Sequence, residues 1–216
     1  MRTQIISCKT IQKEVEIVIR ETGCSYPVSW VDSGLHNVPK KLNAALQELL
    51  DGVNAERVLL AMGFCGNSLE GLLTRDFQLI YPRVDDCITM LLGSFSNRQR
   101  FQKTYFLTRG WIDGERNIFE EYKYTIEKYG QEQGKEIFSL IMNHYENLGV
   151  LDTGVCDYDK LLEEARTIAS TLGFALLPID GTNVLLKQLI TGPWPDNKFV
   201  TINKNTTICL KDLRLA

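Results

Sequence analysis

Four residues whose side chains bind soft metals recur at a regular interval in this sequence. Cys8, His36, Cys65 and Cys87 are separated by 28, 29 and 22 residues, each about the length of one strand, one crossover helix and their loops. Three thiols joined by an imidazole, or by an open position, match two kinds of centre: an iron–sulfur cluster and a tetrahedral zinc ion. Cys65 lies in "GFCGNSLEG", where Gly63 and Gly66 let the backbone bend and bring amide N–H groups, with those of Asn67, close to a bound group. Cys87 ends "PRVDDC". Asp85 and Asp86 are placed there to accept from a ligating imidazole or to orient Arg83, and Arg83 to anchor a carboxylate or phosphate. Arg109 is a further candidate for that task. Cys65 and Cys87 are both expected at or near helix N-termini, where the dipole lowers a thiol pKa.

The elements that must position these residues follow from hydrophobic periodicity. Thr3–Ser7, Tyr26–Val31, Val58–Met62, Phe77–Tyr81 and Thr104–Thr108 read as strands. Val58–Met62 is continuously apolar, as expected of a strand covered on both faces. Between the strands, Ile11, Val15, Val18 and Ile19 share one helical face that stops at Gly23. A second helix has Pro39 in its first turn and Leu42, Leu46, Leu49 and Leu50 on its apolar side. Further helices are expected over Arg116–Tyr129, Gln131–Asn147, Tyr158–Leu172 and Val184–Ile190. Short strands are expected at Val150–Leu151 and Ala175–Leu177, and an edge strand in the polar tail.

Strand, crossover and strand at this rhythm predict an α/β fold, a three-layer, Rossmann-like arrangement in which a mainly parallel sheet is flanked by helices. Residues 1–216 are expected to form a single α/β domain, with two sub-lobes at about 1–110 and 111–216. Ligands of such sheets bind in the crevice beyond the carboxyl ends of the strands. Cys8, His36, Cys65 and Cys87 all follow strands and therefore share that edge.

A second reading stands beside the metal centre. Free cysteine often packs as a small hydrophobe, and the sequence has no C-x-x-C pair. On that reading the glycine loops hold a small molecule and the thiols merely pack, while His36 bonds its own loop beside Asn37. Cys24 and Cys209 default to structural roles, and His144 to a satisfied or surface histidine. Cys156 either approaches the crevice or lies incidentally before a helix capped by Asp157 or Asp159. Several chemistries are excluded. There is no G-x-G-x-x-G and no Walker A loop. Positions 71 and 93, six after Cys65 and Cys87, are glycine, where a phosphatase loop needs arginine. No G-x-S-x-G elbow accompanies the two histidines.

Composition sets the remaining bounds. The chain is 44% hydrophobic and 24% charged, with a net charge of −3, which gives no basic footprint for nucleic acid or anionic membrane. Only Met1 and Arg2 precede the first strand, so neither a signal peptide nor a membrane span is expected. A cytoplasmic protein with its six cysteines reduced or bound to metal follows.

Several phrases, in order, carry a family resemblance: Cys8 after the opening strand, "LHNVPKKL", "MGFCGNSLEGL", "PRVDDCITMLLGS", "TYFLTRGWI", "LDTGVCDYD" and "LLKQLITGPW". Together they resemble an uncharacterised prokaryotic family, domain of unknown function 1638, whose shared motifs include Cys8, His36, Cys65, Arg83, Asp85, Asp86 and Cys87. The resemblance implies a protein of anaerobic bacteria and methanogenic archaea, encoded beside corrinoid-dependent methyltransferase systems and serving one-carbon metabolism. Its implied partner is a corrinoid protein or methyltransferase. At Cys156 the family carries an aromatic residue. The expected function is therefore binding of an iron–sulfur cluster or another metal through Cys8, Cys65 and Cys87, with His36 or a substrate completing the shell. The alternatives are a metal-free small-molecule-binding accessory protein and a zinc-thiolate methyl-transfer enzyme.

Overall fold

The computed structural model of the chain describes residues 1–114 and 117–213. The chain divides into two compact units, one formed by Met1–Arg98 with the segment from Thr182 onward, the other by Gln99–Gly181. The expected break near residue 110 therefore falls inside the second unit, and the chain afterwards returns to the first.

The first unit opens with β1 (Thr3–Cys8), α1 (Gln12–Thr22), β2 (Val28–Val31), α2 (Pro39–Asp51), β3 (Arg57–Ala61), β4 (Gln78–Pro82), α3 (Cys87–Leu91) and α4 (Phe95–Gln99), whose last residue begins the second unit. The second unit holds β5 (Thr104–Leu107), α5 (Arg109–Ile112), α6 (Ile118–Tyr129), α7 (Gln131–Ile141), β6 (Asn147–Asp152), α8 (Tyr158–Leu172) and β7 (Ala175–Asp180). The chain then adds α9 (Val184–Thr191) and β8 (Phe199–Ile202) to the first unit.

The first sheet has the order β2-β1-β3-β4-β8. Its first four strands are parallel, and β8, the expected tail strand, pairs antiparallel along β4. Because successive strand residues face opposite sides, Ile6, Leu60 and Leu79 pack with Leu42, Leu46 and Leu50 of α2. Ile5, Leu59 and Ile80 face the other way, where α1 lies along β1 and α9 lies against β3 and β4. The result is helix, sheet and helix in three layers. Gly23 stops α1 in the left-handed conformation (φ 65°), and the Cys24 N–H returns to the Ile19 carbonyl (3.1 Å).

The second sheet, β5-β6-β7, is entirely parallel, and α8 covers β6 and β7. Its core joins Leu107, Phe138, Leu148 and Val150 to Leu161, Ala165 and Ile168 of α8. The Tyr158 hydroxyl donates to the Val150 carbonyl (2.8 Å) and accepts from the Ile179 N–H (3.2 Å), tying the head of α8 to two strands. Arg109 pairs with Asp113 and, at 2.7 Å, with Glu164 of α8. The expected helix from Arg116 begins on a residue outside those described. From Ile118 it is capped by Asn117, whose Oδ1 accepts from the N–H groups of Phe119 (2.9 Å) and Glu120 (3.0 Å). α7 stops at Ile141 rather than Asn147, because Glu146 and Asn147 donate their N–H groups to the Lys103 carbonyl (2.8 and 3.1 Å) at the start of β6. Among the described residues, no helix is long and apolar enough to cross a membrane.

Candidate functional site

The order β2-β1-β3-β4 sets the four anticipated residues in a row along the carboxyl edge of one sheet. His36 lies on the 3-10 turn Ser33–Asn37 beyond β2, Cys8 ends β1, Cys65 follows β3 and Cys87 follows β4. Strand succession reverses between β1 and β3, the kind of switch point where parallel α/β sheets open a crevice. Cys8 and Cys65 flank it.

Backbone contacts draw the Cys65 and Cys87 loops together. Beyond β3 the Phe64 N–H donates to the Val84 carbonyl (3.0 Å) and the Cys65 N–H to the Asp85 carbonyl (2.8 Å). Gly63 makes this approach possible. A Cβ there would sit 2.6 Å from both Cα and N of Asp86 and 2.8 Å from the Asp85 carbonyl carbon. The chain then turns left-handed over three successive residues, Cys65 (φ 45°), Gly66 (66°) and Asn67 (64°). Both the N–H and the hydroxyl of Ser68 close that turn onto the Phe64 carbonyl, at 3.0 and 3.1 Å. Asn43 of α2 holds the turn by donating to the carbonyls of Ser68 (2.8 Å) and Glu70 (2.9 Å). Left-handed backbone at a cysteine costs about 1 kcal/mol or more. The expected helix after Cys65 is replaced by this turn.

Cys87 does begin a helix. Asp86 caps α3, its Oδ1 accepting from the Thr89 N–H (2.7 Å), while Asp85 Oδ1 accepts from the Asp86 N–H (3.1 Å). Both carboxylates therefore bond the backbone that presents Cys87. Arg83 points its Nε at the Asp196 carbonyl (3.1 Å), and its N–H bonds the Lys198 carbonyl (2.7 Å). Gly66 and Asn67 are exposed.

The expected lowering of the thiol pKa values is reversed. Burial raises Cys8, whose Sγ lies 3.0 Å from the Thr10 hydroxyl, a contact that partly offsets the rise. Burial pushes Cys65 up to about 12, and Cys8, Asp86 and Asp85 add repulsion. Cys87 is raised well above its usual value by burial first, then by Asp86, Cys65, Cys8 and Glu14. Asp86 is itself raised by burial, against the pull of the Thr89 N–H and Arg98. Desolvation of a thiolate outweighs the dipole of a helix as short as α3, which is only 5 residues long. Cys8 adds to the rise of Cys65, and both Cys8 and Cys65 add to the rise of Cys87.

Glu14 was not anticipated as a site residue. Its side chain has no solvent exposure, although it carries a carboxylate. The signal was present in the sequence, since Glu14 falls three residues after Ile11 and four before Val18, on the apolar face of α1. Cys24 is half-buried and its Sγ accepts from the Tyr26 N–H (3.4 Å). Cys209 is exposed. Cys156 packs against the core of the second unit, and is described there alone.

Among the described residues, no three His, Cys, Asp or Glu side chains stand in an arrangement that holds an ion as they lie.

A family model described as "Protein of unknown function (DUF1638)" matches residues 30–190, a span that includes His36, Cys65 and Cys87 and begins after Cys8. No curated protein and no solved structure matches the chain.

Proposed function

The chain belongs to the DUF1638 family, and from that premise we propose that it binds a thiophilic metal centre through Cys8, Cys65 and Cys87. The centre is an iron–sulfur cluster, with zinc as the alternative. One observation carries this reading: three cysteines, at the end of β1 and just beyond β3 and β4, lie at the carboxyl edge of adjacent strands, where Cys8 adds to the rise of Cys65 and both add to that of Cys87. The surroundings favour a cation. Asp86 and Asp85 both add repulsion against a thiolate at Cys65, which a bound cation would relieve, and bound metal deprotonates its thiol ligands outright.

Each residue has a task in this reading. Gly63 permits the backbone approach, the left-handed turn carries Cys65, and Asp86 caps the first turn of α3, which begins with Cys87. A centre with three protein thiolates supplies an open coordination position for electron transfer or for a transferred group. The family resemblance supports a setting in one-carbon metabolism, with a corrinoid protein or methyltransferase as partner. The cytoplasm is the compartment that keeps such cysteines reduced.

Anaerobic purification with metal and sulfide analysis, joined to electron paramagnetic resonance, tests the proposal. Iron with acid-labile sulfide supports the cluster, and stoichiometric zinc supports the alternative. In either case Cys65→Ser removes most of the metal. A wild-type chain that stays metal-free after anaerobic reconstitution, or a Cys65→Ser variant that retains its full metal content, refutes the site.

A further inference from the structure

We infer that Arg57, flanked by Thr3 and Gln78 and stacked on Trp194, is the centre of a second binding site, which takes a small oxyanion, the phosphate or carboxylate group of a ligand. The site lies in the first unit, at the end of the sheet opposite the thiols, and does not rest on the thiol-centre reading.

The sheet sets the polar groups in a row. Thr3, Arg57 and Gln78 are the first residues of the parallel strands β1, β3 and β4. They are direct neighbours in register, Thr3 beside Arg57 and Arg57 beside Gln78. Each precedes by two a core residue, Ile5, Leu59 or Ile80, so all three side chains leave the sheet on the face that α1 and α9 cover. Thr3 is buried, and Arg57 and Gln78 are partly so. The hydroxyl and the carboxamide beside Arg57 can each donate to an oxyanion.

Arg57 is the exceptional member of the row. Its guanidinium carbon lies 4.5 Å from the centroid of the Trp194 ring, and its Nε is buried without a hydrogen-bond partner among the described residues. Arginine is rarely withdrawn from water unless it is paired, and among the described residues Arg57 forms no ion pair. The carboxylate next to it in sequence is engaged elsewhere, since Glu56 Oε2 accepts from the Arg2 N–H at 2.9 Å. The indole is itself fixed, because Trp194 Nε1–H donates to the Leu189 carbonyl of α9 (2.8 Å). A guanidinium stacked on a fixed ring has less freedom to lose when its N–H fork meets a ligand. That fork matches two oxygens of one phosphate or carboxylate. A clamp on Trp194 alone needs only a positive charge, which lysine would supply equally.

The test uses the full-length chain with Trp30→Phe and Trp111→Phe, which leaves Trp194 as its one tryptophan. Fluorescence is followed as sodium phosphate or, separately, sodium acetate replaces sodium chloride at constant ionic strength. A saturable change is expected, and the anion that binds more tightly tells whether the site takes a phosphate or a carboxylate. Arg57→Lys keeps the charge but loses the fork, and it weakens binding at least about tenfold. Arg57→Gln abolishes it. Circular dichroism checks the fold of each variant. Should the tryptophan replacements not fold, calorimetry with the same two salts makes the measurement on the otherwise unsubstituted chain. The lack of a saturable response to both anions overturns the inference. A folded Arg57→Lys or Arg57→Gln variant that binds like its parent does the same, and either result leaves the thiol site standing.

Discussion

Gly63→Ala is the sharpest perturbation available, because it adds a single methyl at the point where two site loops meet. The new Cβ would lie 2.6 Å from the Asp86 Cα and N, both backbone atoms that no rotamer change can move. Relief requires the β3 and β4 loops to separate, and that stretches the bonds from Phe64 to Val84 and from Cys65 to Asp85. Overpacking of this kind costs about 1–3 kcal/mol and two weakened backbone bonds about 1 kcal/mol each, so the loss totals about 3–5 kcal/mol. That is a large share of the roughly 5–15 kcal/mol that holds a domain folded. Urea unfolding in a Trp111→Phe background reports the first unit through Trp30 and Trp194, and at a slope of about 2 kcal/mol per molar the midpoint falls by about 2 M. Gly34→Ala is the control: its Cβ would meet nothing within 4 Å, and it is expected to stay within about 0.5 kcal/mol of wild type. Gly63→Ala also lowers metal loading, since Cys65 moves away from Cys87. A midpoint within experimental error of the control would show that the close approach of the loops does not hold the site together.

Three further outcomes are expected. In metal-free protein at pH 8, iodoacetamide labels exposed Cys209 readily and Cys65 slowly, because a pKa near 12 rather than 9.0 leaves about a thousandfold less thiolate; equal labelling rates by mass spectrometry would contradict this. Cys65 is raised on folding, so its neutral form favours the folded state. Its contribution is complete below pH 9 and lost between about 9 and 12, and the urea midpoint of metal-free wild type should fall through that window more steeply than that of Cys65→Ser. Tyr158→Phe removes the hydroxyl shared by Val150 and Ile179 and should destabilise the second unit by about 1–3 kcal/mol, read by Trp111 fluorescence on thermal unfolding; no change would mean that water replaces the hydroxyl at no cost.

Amino-acid sequence alone determined what depends on local pattern. The apolar runs at Val58–Met62 and Phe77–Tyr81 are strands because both faces are covered. The face of Leu42, Leu46 and Leu50 is a helix face, and Gly23 ends α1 since only a residue without a side chain adopts φ 65° freely. The helix over Tyr158–Leu172 has the predicted limits because Asp157 caps one end and Gly173 the other. Placement of Cys8, His36, Cys65 and Cys87 after successive strands was equally legible, because in a parallel sheet every strand ends at the same edge.

Tertiary structure decided the rest. Strand order set the carboxyl ends of β1, β3 and β4, at or just after which Cys8, Cys65 and Cys87 fall, side by side, and no local pattern encodes which strands lie together. Pairing of the β3 and β4 loops forced the left-handed turn at Cys65, where the sequence suggested the start of a helix. Thiol acidity turned on the protein packed around each sulfur, and burial overcame the short helix that was expected to lower it. Glu14 could be placed on an apolar face from its spacing. Only the packing of α1 against β1 and α9 shows that this face, Glu14 included, is fully buried, since burial depends on elements distant in the chain.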